Sequence, residues 1–261
     1  MDFNIFDTPP IRSILFYPRR GVPLSTPKNN VADGTIPVGD SVELGYRLFI
    51  NEDKTVPLLL YFHGNGEIAS DYNMVSREFL DLGLSLIVVD YRGYGWSTGE
   101  PRVKHLISDV EPVMNALPDI RQIHHLSADK TLVMGRSLGS VPGIEAAYQY
   151  GDKLNGLIIE SGFAQLPPLL ARLGLPVQWQ ANLPDPIGNL RKMTDIKLPL
   201  LVIHGEQDSL IPVANGQKLY DASPSDNKHI ARIPGVGHND LMVRRDDYFG
   251  AIRSFLDSLV T

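Results

Sequence analysis

The sequence contains no cysteine. This absence excludes a disulfide framework, a metal site built from thiolates and a cysteine nucleophile. The sequence also has no uninterrupted apolar run of about 18 residues, the length that a membrane-spanning helix needs. Its first residues, MDFN, have neither the basic start nor the apolar stretch of a signal peptide. We therefore expect a cytoplasmic protein without a transmembrane segment.

The chain also has no excess of basic residues. Its 24 Lys and Arg are outnumbered by 30 Asp and Glu, which gives a net charge of −6, and the basic residues are scattered along the chain. Binding to nucleic acid usually needs a clustered basic patch, so we expect no nucleic-acid partner. With 261 residues, of which 43% are hydrophobic, the chain can bury a large core. We expect a single α/β domain over residues 1–261, and the sequence leaves its oligomeric state open.

The stretch 131–140 carries the strongest chemical signal. A short apolar run ends in GRSLG at 135–139, which fits the G-x-S-x-G pattern of a strand that turns sharply into a helix with the serine at its tip. Glycines two residues before and two residues after the serine keep Cβ atoms out of the crowded turn. The pattern predicts that Ser137 is a nucleophile. By itself, the pentapeptide is equally compatible with a turn that uses glycine and serine for steric reasons alone.

A second glycine-rich loop, HGNG at 63–66, follows an earlier buried strand. An acyl-transfer enzyme holds its oxyanion with two backbone donors, one after the nucleophile and one in a loop after an earlier central strand. We therefore predict that the N–H groups of Asn65 and Leu138 are the oxyanion donors. The alternative is a plain glycine-rich turn. For His63 itself, we favour a role in bracing this loop over a role in chemistry.

Two later strand ends supply the remaining catalytic candidates. Asp208 lies just past a buried apolar strand, where a carboxylate can orient a histidine, and His238 follows the next strand in a glycine-rich loop. The chain order Ser137, Asp208, His238 is that of the catalytic triad in α/β-hydrolases. Glu160, at the end of the preceding strand, is the competing candidate for the acid.

The remaining pattern indicates an α/β protein. From about residue 57, apolar strands alternate with helical patterns, which predicts βαβ units and a largely parallel sheet. The alternation at 42–49 predicts a half-buried antiparallel strand. A helix is predicted over 103–117, with a kink or a late start at Pro112. The segment 163–195 interrupts the alternation and predicts either a small cap over the site or an ordinary crossover helix with a loose return.

Five segments resemble one family closely: FHGNGE, VVDYRGYGWSTGEP, GRSLGSVPG, VIHGEQDSLIP and PGVGHND. From about Tyr46 onward, the chain resembles the ABHD-type serine hydrolases of the α/β-hydrolase superfamily, a branch that includes protein depalmitoylases. The resemblance implies an α/β-hydrolase fold with a mostly parallel eight-stranded sheet, helices on both faces and a small or minimal cap. It also implies hydrolysis of an ester, thioester or amide, with no cofactor and no metal.

One departure from that family limits what the resemblance implies about the substrate. The membrane-acting depalmitoylases carry a cysteine-rich N-terminus, whereas this sequence has no cysteine and offers no site for tethering by palmitoylation. The resemblance therefore supports the catalytic machinery more than it supports a palmitoylated substrate.

The function that we expect is that of a serine hydrolase. It would cleave a carboxylic ester or thioester of a small-molecule or acyl substrate, with an acyl-enzyme on Ser137, His238 as the base and Asp208 orienting it. An amidase or peptidase would use the same residues, but no cluster of carboxylates or arginines indicates binding of charged peptide termini. A non-catalytic binding protein on the same fold is the alternative of a different class, and it would more easily lose one of the three residues than keep them all.

Overall fold

The computed structural model describes residues 3–26, 30–39, 41–175 and 183–260. Within these residues, eight strands form one sheet in the order β1-β2-β4-β3-β5-β6-β7-β8. The strands are β1 (Val31–Pro37), β2 (Glu43–Phe49), β3 (Leu58–Phe62), β4 (Ser85–Val89), β5 (Thr131–Arg136), β6 (Gly156–Glu160), β7 (Leu200–Gly205) and β8 (Lys228–Ile233). Strands β3 to β8 run parallel, and β2 pairs antiparallel with both β1 and β4. The prediction of a mostly parallel eight-stranded sheet is confirmed.

Helices pack on both faces of this sheet. The described α-helices are Pro9–Leu15, Ser76–Asp81, His105–Ser108, Val110–Ile123, Ser140–Tyr150, Leu166–Arg172, Asn189–Met193, Ala214–Ala222 and Arg245–Ser258. The neighbouring β5 residues Val133 and Met134 belong to two different buried clusters, because successive side chains of a strand point to opposite faces. None of the helices in the described ranges has the length and apolar character needed to cross a membrane.

Strand β2 is more deeply buried than its sequence predicts. The alternating pattern predicts one polar face, but every residue of β2 after Glu43 is buried. Two contacts explain the difference. The Arg47 guanidinium forms a bidentate pair with Asp33, with distances of 2.7 and 2.6 Å, and the indole of Trp96 occupies the space where a Cβ on Gly45 would lie.

The helical region after β4 is divided as Pro112 predicts. A short helix ends at Ser108, and a new helix begins at Val110. Pro112 thus lies in the first turn of the second helix, where its missing N–H leaves no intrahelical hydrogen bond unmade.

The segment predicted as a cap or crossover contains two described helices. Pro167 and Pro168 lie in the first turn of the helix Leu166–Arg172, as their sequence position predicts. Further on, Lys192 forms a buried ion pair with Glu145 of the helix that follows β5. Residues 176–182, in the middle of this segment, lie outside the described residues.

Candidate active site

Ser137 lies at the turn from β5 into the helix Ser140–Tyr150. Its φ of 51° is in the left-handed region, which is uncommon for residues other than glycine and costs backbone energy. The Ser140 hydroxyl donates a hydrogen bond to the Ser137 carbonyl at 2.7 Å and fixes the turn. This sharp turn presents the Ser137 side chain at the carboxyl edge of the parallel strands.

Two glycines allow the crowding that this turn requires. A Cβ on Gly135 would collide with the carbonyl of Gly139, and a Cβ on Gly139 would collide with the carbonyl of Phe62 at the end of β3. The second contact places the loop after β3 directly against the serine turn. The G-x-S-x-G spacing therefore reflects tertiary packing as well as the turn itself.

Ser137, His238 and Asp208 form a continuous hydrogen-bonded chain across three strand ends. His238 Nε2 lies 2.9 Å from Ser137 Oγ, and His238 Nδ1 lies 2.7 Å from Asp208 Oδ2. All three side chains are largely removed from solvent. With a proton on Nδ1 donated to the carboxylate, Nε2 has a lone pair that accepts the serine hydroxyl.

The surroundings of Asp208 favour its charged form. Its Oδ1 accepts the backbone N–H groups of Leu210 at 3.0 Å and Ile211 at 2.7 Å. Burial alone would raise the pKa of Asp208, but the hydrogen bonds from His204 and His238 outweigh it and hold that pKa below its ordinary value. Asp208 is therefore a carboxylate over the whole neutral range.

His204 also supports the site, although no motif in the sequence singles it out. It is fully buried in β7, and its Nε2 lies 2.7 Å from the Ile211 carbonyl and 3.3 Å from Asp208 Oδ2. It thus supports the turn that carries Asp208. The available signal was a histidine inside an apolar strand, four residues before the acid, since a buried imidazole is costly unless it has hydrogen-bond partners.

The side chain of Asn65 anchors the predicted oxyanion loop to the N-terminal part of the chain. Its Oδ1 accepts the Tyr17 backbone N–H at 2.9 Å and the Tyr94 hydroxyl at 2.6 Å, and its Nδ2 donates to the Leu15 carbonyl at 2.8 Å. In the described parts of the chain, no hydrogen bond uses the Asn65 backbone N–H as its donor. The Leu138 N–H lies in the first turn after Ser137, where backbone donors have no intrahelical partner.

His63 is fully buried beneath this loop. Its Nδ1 lies 2.8 Å from the Gly64 carbonyl and its Nε2 lies 3.2 Å from Asp90, while the Tyr91 hydroxyl donates to its carbonyl at 2.5 Å. These contacts agree with a bracing role. Tyr94 is also fully buried and packs under the loop, where its hydroxyl donates to Asn65.

Glu160, the competing acid, has other partners. Its Oε1 accepts Arg136 Nε at 2.9 Å, and its Oε2 accepts the hydroxyls of Tyr61 at 3.0 Å and Tyr248 at 2.7 Å. The carboxylate that contacts His238 is that of Asp208. Across the described residues, no group of three or more histidine, aspartate and glutamate side chains is arranged to hold a metal ion.

Comparison with known families identifies the lineage of the chain. A hydrolase family model described as "Serine aminopeptidase, S33" matches residues 53–187 and 168–242. An uncharacterized membrane protein of Saccharomyces cerevisiae is 31% identical over 219 residues, which cover 79% of this chain and 72% of that protein. The alpha/beta hydrolase domain-containing protein aho-3 of Caenorhabditis elegans is 30% identical over 205 residues, or 76% of this chain, and the match spans 57% of that relative's length.

Solved structures agree on the fold. An esterase from Pyrococcus furiosus superposes with a TM-score of 0.74 at 19% sequence identity, covering 94% of this chain and 98% of the esterase. At that identity, the likeness is evidence for the fold alone. Because the family model spans most of the sequence and the sheet has the architecture of this esterase, the chain belongs to the α/β-hydrolase superfamily and is a hydrolase of the ABHD type.

Proposed function

We propose that this hydrolase cleaves a carboxylic ester or thioester through an acyl-enzyme on Ser137. One observation carries the proposal: the hydrogen-bonded chain from Ser137 Oγ to His238 Nε2 at 2.9 Å and from His238 Nδ1 to Asp208 at 2.7 Å. A serine hydroxyl is a weak nucleophile until a base removes its proton, and an oriented imidazole is such a base.

In the first half of the reaction, His238 Nε2 takes the proton as Ser137 Oγ attacks the substrate carbonyl carbon. The backbone N–H groups of Asn65 and Leu138 hold the resulting oxyanion. The imidazolium then gives its proton to the leaving oxygen or sulfur, and the C–O or C–S bond breaks. The alcohol or thiol departs, and the acyl group remains on Ser137.

In the second half, water replaces the leaving group. His238 takes a proton from the water, the hydroxide attacks the acyl carbon, and the same proton returns to Ser137 Oγ as the acid is released. Asp208 stays ionised throughout, holds the Nδ1–H tautomer and stabilises the imidazolium. Its lowered pKa suits this role, because the carboxylate does not take the proton from His238.

An amidase or peptidase is the second candidate, because the matching family model is described as a serine aminopeptidase. An aminopeptidase needs a carboxylate with free acceptor capacity to bind the ammonium group at the N-terminus of its substrate. The carboxylates beside the serine turn, Glu67 and Glu160, already accept hydrogen bonds from Arg136 and from tyrosine hydroxyls. This arrangement favours an ester or thioester over a peptide with a free N-terminus.

A fluorophosphonate probe tests the nucleophile directly. The native protein should label, Ser137→Ala should not, and Ser254→Ala, on the exposed side of the C-terminal helix, should label as the native protein does. Absence of labelling in the native protein would overturn the proposal in favour of a binding protein. A series of p-nitrophenyl esters from acetate to palmitate, with an amino-acid p-nitroanilide alongside, then separates ester from amide hydrolysis and defines the acyl length.

A further inference from the structure

Arg136, the residue before Ser137, connects segments that reach the site from different strands. Its side chain is only 12% exposed. Nε donates to Glu160 at the end of β6 at 2.9 Å, and Nη1 pairs with Glu67 in the loop after β3. These contacts link β5 to the ends of the two strands that flank it in the sheet, β3 and β6.

The third nitrogen of the guanidinium reaches the histidine loop. Arg136 Nη2 donates to the backbone carbonyl of His238 at 3.0 Å and to Oδ1 of Asn239 at 3.1 Å. The side chain of the residue before the nucleophile therefore holds the backbone of the base itself.

Glu67 carries the same connection to the oxyanion loop. While one of its oxygens binds Arg136, the other accepts the Gly64 N–H at 2.8 Å and the Tyr72 hydroxyl at 2.9 Å. A Cβ on Gly64 would collide with the guanidinium, so the loop packs directly on Arg136. Gly64 immediately precedes Asn65, and one ion pair therefore separates Arg136 from the peptide that carries the predicted oxyanion donor.

Arg136 and its two carboxylate partners, Glu67 and Glu160, stabilise each other's charged forms. Burial would raise the pKa of Glu67, but Arg136, together with the smaller contributions of neighbouring groups, outweighs burial and lowers that pKa. For Arg136, burial would lower the pKa, but Glu67 and Glu160 raise it above its ordinary value. The guanidinium is thus permanently charged, and it links the end of β6, the loop after β3 and the loop that carries His238.

We propose that Arg136 is a positioning residue of the reaction, which sets His238 and the Asn65 peptide at their working distances from Ser137. This inference rests on the proposed function. A planar guanidinium can bind carboxylates on two sides and a carbonyl on a third at the same time, whereas a lysine ammonium is a single point of charge. The alternative is a purely structural role, in which Arg136 only neutralises two buried carboxylates.

Arg136→Lys separates these two roles, because lysine keeps the positive charge but lacks the planar group that donates hydrogen bonds in several directions. A positioning role predicts that kcat for a p-nitrophenyl ester falls about 10- to 100-fold, since small displacements of catalytic groups have effects of that size. KM should stay within about threefold, because the substrate contacts are unchanged. The rate constant of fluorophosphonate labelling should fall by the same factor as kcat. A purely structural role predicts a lower melting temperature with kcat unchanged.

Arg47→Lys is the matched control. Arg47 is also buried and binds a carboxylate, that of Asp33, through two nitrogens, but it lies on β2 and has no contact with the serine turn. Its substitution should lower the melting temperature and leave kcat unchanged. Equal kcat values in the two lysine variants would overturn the inference.

A surface variant decides the question if Arg136→Lys does not fold. Asn239 is exposed, and Asn239→Ala removes one acceptor of the guanidinium. Losing one hydrogen bond of about 1 kcal/mol from the positioned state corresponds to a fall of about fivefold in kcat. Asn239→Asp keeps the acceptor and should lower kcat less than Asn239→Ala does. An unchanged kcat in Asn239→Ala would then overturn the inference.

The Ser137→Ala variant keeps this test distinct from that of the proposed function. If Ser137→Ala is inactive and Arg136→Lys has the native kcat, only the positioning role fails. If Ser137→Ala retains activity and labelling, the proposed function itself fails.

Discussion

Asp208 and Glu160 occupy comparable places at the carboxyl edge of the sheet. Asp208 follows β7 and Glu160 ends β6, and the two residues are 5% and 1% exposed. Both carboxylates are fully engaged in hydrogen bonds. Position and burial therefore do not distinguish them, and what differs is the kind of group that each one contacts.

The two carboxylates differ in the chemistry of the side chains that they contact. Asp208 contacts the imidazoles of His204 and His238. Glu160 contacts the Arg136 guanidinium and two tyrosines, and burial together with the charge of Glu160 raises the pKa of both Tyr61 and Tyr248 well above its ordinary value. A carboxylate on an imidazole can select a tautomer for proton transfer. A carboxylate among permanent donors can only hold them in place.

Asp208→Asn should have the largest effect on activity. The asparagine amide can donate to His238 Nδ1, which leaves the proton on Nε2 and removes the base for Ser137. By analogy with serine proteases, kcat should fall by about 10⁴, and the melting temperature should fall as well, because the variant loses the charged hydrogen bonds of Asp208. Ester hydrolysis and thermal unfolding measure the two quantities. If Glu160→Gln lowers kcat more than this variant does, the acid is Glu160.

Glu160→Gln should instead act mainly on stability. It removes the charge that faces Arg136 and turns an amide toward groups that are all donors. Breaking a buried ion pair by changing one partner costs about 3 to 5 kcal/mol. Urea denaturation should show that loss, while kcat of the folded protein stays within about tenfold of the native value. An unchanged free energy of unfolding would mean that the cluster around Glu160 is looser than its distances indicate.

Acid should destabilise the native protein partly through Asp208. The folded-state pKa of Asp208 is lowered, so near and below the ordinary carboxyl pKa of about 3.9 the unfolded chain binds the proton more readily. The stability that Asp208 contributes is present above that value and is lost as the pH falls toward the lowered pKa. Urea midpoints between about pH 5 and pH 2 should fall more steeply for the native protein than for Asp208→Asn. Parallel curves would contradict this account.

Tyr248→Phe should give the smallest change. It removes one hydroxyl from Glu160 and leaves the hydrogen bonds from Tyr61 and Arg136 in place. A hydrogen bond to a charged group contributes about 1.5 kcal/mol or somewhat more, so the free energy of unfolding should fall by about that amount. We expect kcat within about twofold of the native value. A larger loss in kcat than in stability would indicate that Glu160 takes part in catalysis.

The strand pattern and the serine turn could be predicted from the sequence alone. Glu160 ends β6 and Asp208 lies just past the end of β7, as the sequence predicts, because each strand is a short segment bounded by local turn signals. The α/β-hydrolase fold is confirmed. Ser137 could be singled out for a similar reason, since the glycines that its turn requires lie within two residues of it in the chain.

Contacts between segments that are distant in the chain could be seen only in the three-dimensional structure. Such contacts place Asp208, and not Glu160, against His238, and they bury β2 against Trp96 and Asp33. The partners of Arg136 could not be predicted from the sequence either, because Glu67, Glu160 and His238 lie 69, 24 and 102 residues away in the chain. Periodicity and turn motifs report on neighbours in the chain, whereas the order of strands in the sheet brings these groups together.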